Sequence, residues 1–215
     1  ILGYTRSAKA ISSGLVTAAV TNSMHLGYSE NGTAYTALNN NTGVLFAKAD
    51  FSTNIAGVTK CLTNPYIFRM QDGTFGVVAS RIGVSSSQDE KEKTSVLLFT
   101  SKDLLHYEEV GLISLNTTET VNNPICEFDA AAQEYRIEWT ASDGTKYYNT
   151  TKDFKAVSEP NIGAIIPVNQ VATNIVFAVP GNSIAVTKAE VIKIKNKLSK
   201  VTNTKVSNVD IIIDK

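Results

Sequence analysis

A chain of 215 residues, 43% apolar and 19% charged, with twenty basic against twenty acidic side chains, has the profile of a soluble globular protein. The charge balance excludes a basic footprint for nucleic acid, and no nucleic-acid partner is expected. The most apolar stretch, residues 162–186, is broken by Pro167, Asn169, Gln170, Asn174 and Pro180, so no run nears the roughly 20 apolar residues that cross a bilayer.

Two cysteines, Cys61 and Cys126, cannot staple a fold of this length and lack metal-ligand spacing. They read as free buried thiols, with a disulfide between adjacent sheets as the alternative. Ile1 is preceded by no basic-then-apolar leader, so any targeting peptide is expected to have been removed or to lie outside this chain.

From Tyr28 to about Ala156 the apolar residues fall in short runs rich in Val, Ile, Tyr, Phe and Thr, parted by Gly-containing turns. Residues 65–70 and 74–81 flank Asp72-Gly73, and residues 134–140 and 145–149 flank Asp143-Gly144. Both read as hairpins, because Asp-Gly tolerates the positive φ of a tight turn.

Two elements recur. Asn64-Pro65 and Asn123-Pro124 each open a strand, with Thr21-Asn22-Ser23 opening a similar one. Ser29-Glu30-Asn31, Ser101-Lys102-Asp103 and Thr151-Lys152-Asp153 share a hydroxyl, any residue, then Asn or Asp. That spacing lets both side chains bond local amides in a turn between the third and fourth strands of a sheet. The order fits blades of a β-propeller, with a sandwich or jelly roll as the alternative.

After residue 160 the character changes. Residues 161–180 are apolar and Asn-rich, and Thr187 with Glu190 has capping-box spacing at the start of a helix. Val191, Ile194, Leu198 and Val201 form its packing stripe, and the six lysines from Lys188 to Lys205 form its solvated face. A last strand is expected over residues 209–213. The fold class is therefore mainly β: a partial propeller of antiparallel four-stranded blades over residues 1–160, then a small α+β unit over 161–215.

Three stretches resemble the five-bladed propellers of glycoside hydrolase family 43: His25-Leu26-Gly27-Tyr28-Ser29 with Asn31-Gly32; Asn64-Pro65-Tyr66-Ile67-Phe68-Arg69 with Asp72-Gly73; and residues 124–129 with Tyr135-Arg136-Ile137-Glu138-Trp139. The tail, with Val179-Pro180-Gly181-Asn182, resembles degenerate bacterial immunoglobulin-like modules. The resemblance implies a secreted bacterial carbohydrate-active protein, extracellular or at the cell surface, meeting plant-type poly- or oligosaccharides such as arabinan or xylan. It also implies that the rest of a parent polypeptide, a partner segment or the chain's own tail covers the open blade edges.

Inverting glycosidases of that type need carboxylates on both sides of the scissile bond, roughly 6.5–9.5 Å apart. The resemblance places such groups in successive blades, where this chain carries Asn22 and Ser23, Asn64, and Ile125. An amide neither ionises nor raises a neighbour's pKa by charge. Glu127 and Asp129 are the substitute candidates, with Glu127 on the same strand face as Ile125 by alternation. Candidate sugar contacts are His25, Asn64, Arg69, Asn123 and Trp139, each with a plain structural alternative; His106 reads as an exposed turn residue. There is no Gly-x-Ser-x-Gly elbow, no phosphate-cradling loop and no metal-ligand cluster, so no cofactor or metal is expected.

Asn31, Asn40, Asn116 and Asn149 head sequons that Asn- and Thr-rich turns produce by chance. The reading is a glycan-binding or scaffolding segment without activity of its own. Its alternatives are the N-terminal portion of an active arabinosidase- or xylosidase-type enzyme, or a surface structural module with no glycan ligand.

Overall fold

A computed structural model of the chain describes residues 1–12, 14, 17–52, 54–167 and 171–199. Three four-stranded antiparallel sheets make up the body among these residues. The first holds β1 (Leu2–Arg6), β2 (His25–Tyr28), β3 (Thr36–Ala37) and β12 (Ala178–Ser183), in the order β12-β1-β2-β3. The second is a meander of β4 (Lys60–Arg69), β5 (Phe75–Gly83), β6 (Ser95–Ser101) and β7 (Glu108–Ser114). The third is a meander of β8 (Asn122–Asp129), β9 (Glu134–Thr140), β10 (Lys146–Thr151) and β11 (Asn161–Ile162). The helices are α1 (Ala8–Ser12), α2 (Ala18–Thr21), α3 (Glu90–Lys93) and α4 (Lys188–Leu198).

The expected turns form for the expected reasons. Asp72 Oδ1 accepts from Thr74 N at 2.9 Å and Asp143 Oδ1 from Thr145 N at 2.8 Å, each ahead of a glycine at positive φ. The hydroxyl-x-Asp elements are one structure used three times. Ser29 Oγ accepts from Gly32 N, Ser101 Oγ from Leu104 N and Thr151 Oγ1 from Phe154 N, at 2.9–3.0 Å. The residue three positions on has φ of +77°, +58° and +61° respectively. Leu104 and Phe154 accept that strained backbone while burying their side chains, so packing outweighs the local cost.

The sheets pack face to face around two apolar layers. Leu26, Leu62, Ile67, Phe75 and Leu97 fill the first, between the first and second sheets. Phe68, Val78, Leu98, Ile137 and Trp139 fill the second, between the second and third. Cys61 and Cys126 are free and buried, and burial pushes both thiols up in pKa.

The boundary expected at residue 160 is crossed at several places. β12 pairs with β1 from Leu2↔Ser183 to Arg6↔Ala178, supplying the innermost strand of the first sheet. Asn22 and Ser23, read as the first-blade strand opening, instead precede β2, two strands further out. Ser23 is buried and donates to Val20 O at 2.6 Å. Pairing between the two ends of the chain leaves no local signature, which is why residues 178–183 read as part of a separate unit.

The rest of the tail also lies on the sheets. Ile165 and Ile166 donate their amides to buried Glu138, on the face of the third sheet turned away from the second. Val171 and Ile175 pack on Leu2 and Tyr4, on the face of the first sheet turned away from the second. The chain's own tail thus covers part of both outer faces.

Helix α4 starts at the expected capping box, with Glu190 N bonded to Thr187 Oγ1 and Thr187 N to Glu190 Oε2. Ile194 is buried in the first layer, and Leu198 packs against it. Val201 and the strand expected over residues 209–213 lie outside the described residues. No helix among the described residues is long and apolar enough to cross a membrane.

Arg69 on β4 fastens α4 to the second sheet. Its guanidinium meets Glu190 bidentately at 2.8 and 2.9 Å, reaches Gly73 O at 2.9 Å and lies over the Phe75 ring. These bonds pull the Glu190 carboxyl down to about 2, with the Arg69 hydrogen bond the largest cause. A carboxyl lowered on folding contributes stability that is present above its ordinary value of 4.5 and is lost as pH falls from there toward 2. Urea midpoints should therefore drop across that window, and Glu190→Gln should remove this part of the drop. A wild-type midpoint that is flat from pH 5 to pH 2.5 would count against the clasp.

Candidate functional site: a cavity at three strand bulges

The strands nearest the centre, β12, β4 and β8, lie against one another across the three sheets. Each carries one extra residue against its partner. On β4, Asn64 and Pro65 sit between the pairs Thr63↔Ser80 and Tyr66↔Val78. On β8, Asn123 and Pro124 sit between Asn122↔Thr140 and Ile125↔Glu138. On β12, Gly181 and Asn182 sit between Tyr4↔Pro180 and Leu2↔Ser183.

The bulges on β4 and β8 share a physical cause. Proline cannot donate to a ladder and is tolerated in a strand only at an edge or a bulge, and an extra residue re-aims the side chains beside it. Asn64 and Asn123 take φ of +52° and +50°, the left-handed region that asparagine enters more readily than most residues. The Asn-Pro pairs therefore mark bulges: Asn64-Pro65 lies well inside β4 rather than opening it, while Asn123-Pro124 does open β8, which begins at Asn122.

The three bulges frame a cavity of about 320 Å³, lined chiefly by Asn64, Tyr66, Asn123, Ile125, Glu127 and Asn182. The carboxamides of Asn64 and Asn123 make no hydrogen bond among the described residues and are open to this space. Glu127 is the one carboxylate lining it among the described residues. Its Oε1 accepts from Tyr66 OH at 3.1 Å, across from β8 to β4. Burial first, and then the Glu127 charge, raise the Tyr66 pKa and keep the phenol protonated as donor.

Asn182, quoted in the sequence only for the tail's resemblance, was not among the candidate site residues. Its Oδ1 accepts from Ile67 N and its Nδ2 donates to Ile67 O, both at 2.8 Å. The side-chain amide thereby stands in for a strand, pairing β12 to the free edge of β4 where the bulges leave no ladder. Gly181 beside it is held so close that a Cβ there would collide with the carbonyl oxygen of Pro65 and crowd that of Gly3. One signal was available: Pro180 and Asn182 repeat the Asn and Pro content of the other two bulges.

The remaining candidates fall elsewhere. His25 is fully buried, stacked on Tyr4 with centroids 5.2 Å apart, and its Nε2 meets Val20 O at 2.9 Å. Burial lowers its pKa, and no sugar reaches it. Trp139 is 2% exposed, stacks on Tyr147, and donates Nε1 to Asn149 Oδ1 at 2.8 Å, so it is a core residue rather than a sugar platform. Arg69 lines an adjoining hollow with its guanidinium committed to Glu190. Asp129 caps the turn after β8 by accepting from Ala131 N and Ala132 N, and does not line the cavity. His106 is exposed beside Asp103, as read from its turn. Among the described residues no three His, Cys, Asp or Glu side chains cluster to hold a metal ion.

The glycosyl hydrolase family 43-related model, described as a probable glycosyl hydrolase domain, matches residues 15–209. The chain belongs to this family. The match runs through the tail, in keeping with the place of β12 in the first sheet. No curated protein matches the chain. Among solved structures the chain is similar to a Penicillium chrysogenum alpha-L-arabinanase complexed with arabinobiose, at 15% identity and a TM-score of 0.40. That likeness covers 67% of this chain and 42% of the arabinanase chain, so this family 43-related chain spans well under half of that protein's length.

Proposed function

We propose that this family 43-related domain binds a glycan in the cavity at the three bulges and does not itself hydrolyse it. One observation carries the reading: the cavity offers amides, a phenol and a single carboxylate. Inverting hydrolysis needs one carboxylic acid to protonate the leaving oxygen and a second carboxylate to activate water. Glu127 alone fills at most one of these roles, and Asn64 and Ile125 stand at the positions from which the family resemblance would draw the others. Free carboxamides and a tyrosine beside apolar proline walls instead suit sugar hydroxyls and ring faces. An extracellular or cell-surface setting, where polymeric glycans are met, accords with this reading.

The test combines binding and turnover. Affinity electrophoresis in gels containing arabinan or arabinoxylan should retard the wild-type chain, and Asn64→Ala with Asn123→Ala should reduce the retardation. Incubation with the same polymers and with aryl arabinosides and xylosides should release no reducing sugar. Release that disappears in Glu127→Gln would overturn the non-hydrolytic half, and a chain retarded by no glycan would overturn the other.

A further inference from the structure

Glu127 stands out for its charge as well as its chemistry. The other ionic groups near the cavity are committed: Glu138 accepts from Arg136 Nε at 2.6 Å and from Ile165 N and Ile166 N at 2.7 and 3.0 Å. Arg69 is held bidentately by Glu190. Glu127 has only the neutral Tyr66 hydroxyl as partner, and no cation lines the 320 Å³ cavity among the described residues. A second hollow of about 370 Å³ adjoins it along β4 and shares Tyr66, Glu127, Asn182 and Ser183. The carboxylate therefore sits where the two hollows meet, beside any ligand long enough to occupy both.

We infer that Glu127 makes this groove a charge filter: it takes oligosaccharides that are uncharged or carry an amine, and turns away those bearing uronates or sulfates. The inference rests on the glycan-binding reading above and adds which glycans qualify. A ligand anion placed beside Glu127 meets like-charge repulsion in a concave site where the one cation lining the second hollow among the described residues, Arg69, is already paired with Glu190. A hydroxyl or ammonium at the same place gains a hydrogen bond to a carboxylate, stronger and shorter than one between neutral groups. The Asn64, Asn123 and Asn182 amides are neutral and leave the sign of the field to Glu127.

Calorimetry with the full chain at low salt tests this, using glucosamine tetramer, N-acetylglucosamine tetramer and galacturonic acid tetramer as probes. The amine should bind most tightly and the uronate least, with about a tenfold or greater gap between those two, as opposed charges near one carboxylate imply. Glu127→Gln should bring the three within about threefold, and Glu127→Lys should invert the order. Glu127 is exposed, so neither change threatens the fold. Tyr66→Phe removes the hydrogen bond, keeps the charge, and should preserve the order. Equal wild-type binding of amine and uronate, or an order that survives Glu127→Gln, overturns the filter and leaves glycan binding standing. No binding of these probes, of arabinan or of arabinoxylan counts against both.

Discussion

Trp139→Ala is expected to destabilise the domain by about 3–5 kcal/mol, the range for removing a fully packed tryptophan. The side chain sits in the layer between the second and third sheets with Cys126, Ile137 and Val121, and its ring lies on Tyr147 with centroids 4.7 Å apart. Its loss also strips Asn149 of a partner. That buried amide spends Oδ1 on Trp139 and both Nδ2 hydrogens on Leu115 O and Ser158 O, tying β10 to the chain on either side. Trp139→Phe should retain most of the packing and cost less, chiefly the Asn149 hydrogen bond. Chemical denaturation monitored by far-ultraviolet dichroism reads both. A Trp139→Ala protein of wild-type stability that fails only to bind glycan would place the residue at the surface, against its 2% exposure.

Gly181→Ala carries the next largest effect, about 3 kcal/mol, at the top of the usual range for overpacking. Most small-to-large changes are eased by a side chain moving aside. Here the new methyl would run into the carbonyl oxygen of Pro65 and crowd that of Gly3, both backbone, so β12 itself must shift. Shifting it breaks the paired bonds of Asn182 to Ile67 and leaves a buried amide and carbonyl unsatisfied. For a domain of this size the melting midpoint should fall by about 6–12 °C, and the cavity should lose its β12 wall together with glycan binding. Gly144→Ala is the control. Its φ of +89° makes alanine unfavourable, but nothing stands within 4 Å of the added methyl, so its cost should stay near 1 kcal/mol. Equal effects of the two substitutions would count against crowding at Gly181, whose φ is not positive.

What the sequence disclosed follows from how local each device is. The Asp-Gly hairpins, the three hydroxyl-x-Asp turns and the Thr187/Glu190 capping box are settled within four residues, and the chain displays them openly. The repeat of Asn-Pro was equally visible, yet its meaning was not. A strand with an inserted residue and a strand just beginning both show a proline after a polar residue, and only the partner's register separates them. β12 was misplaced for a stronger reason: its partner is β1, at the opposite end of the chain, and nothing in Val179-Pro180-Gly181-Asn182 announces that pairing. For the site, alternation alone put Glu127 on the face of Ile125, and both line the cavity. Residue type alone nominated His25, Trp139 and Arg69, and type does not distinguish a sugar contact from a core ring or an ion pair.

The pairing of β12 with β1 also sets an order of events. Residues 2–6 cannot complete their sheet until residues 178–183 have been made and brought back to them, and contacts of such sequence separation form slowly because the loop entropy is paid in advance. The second and third sheets are meanders of neighbours, free to condense while the ribosome is still adding the tail. The cavity therefore forms only once β12 has come back to β1, and a chain halted short of Asn182 would display folded sheets around an unfinished site.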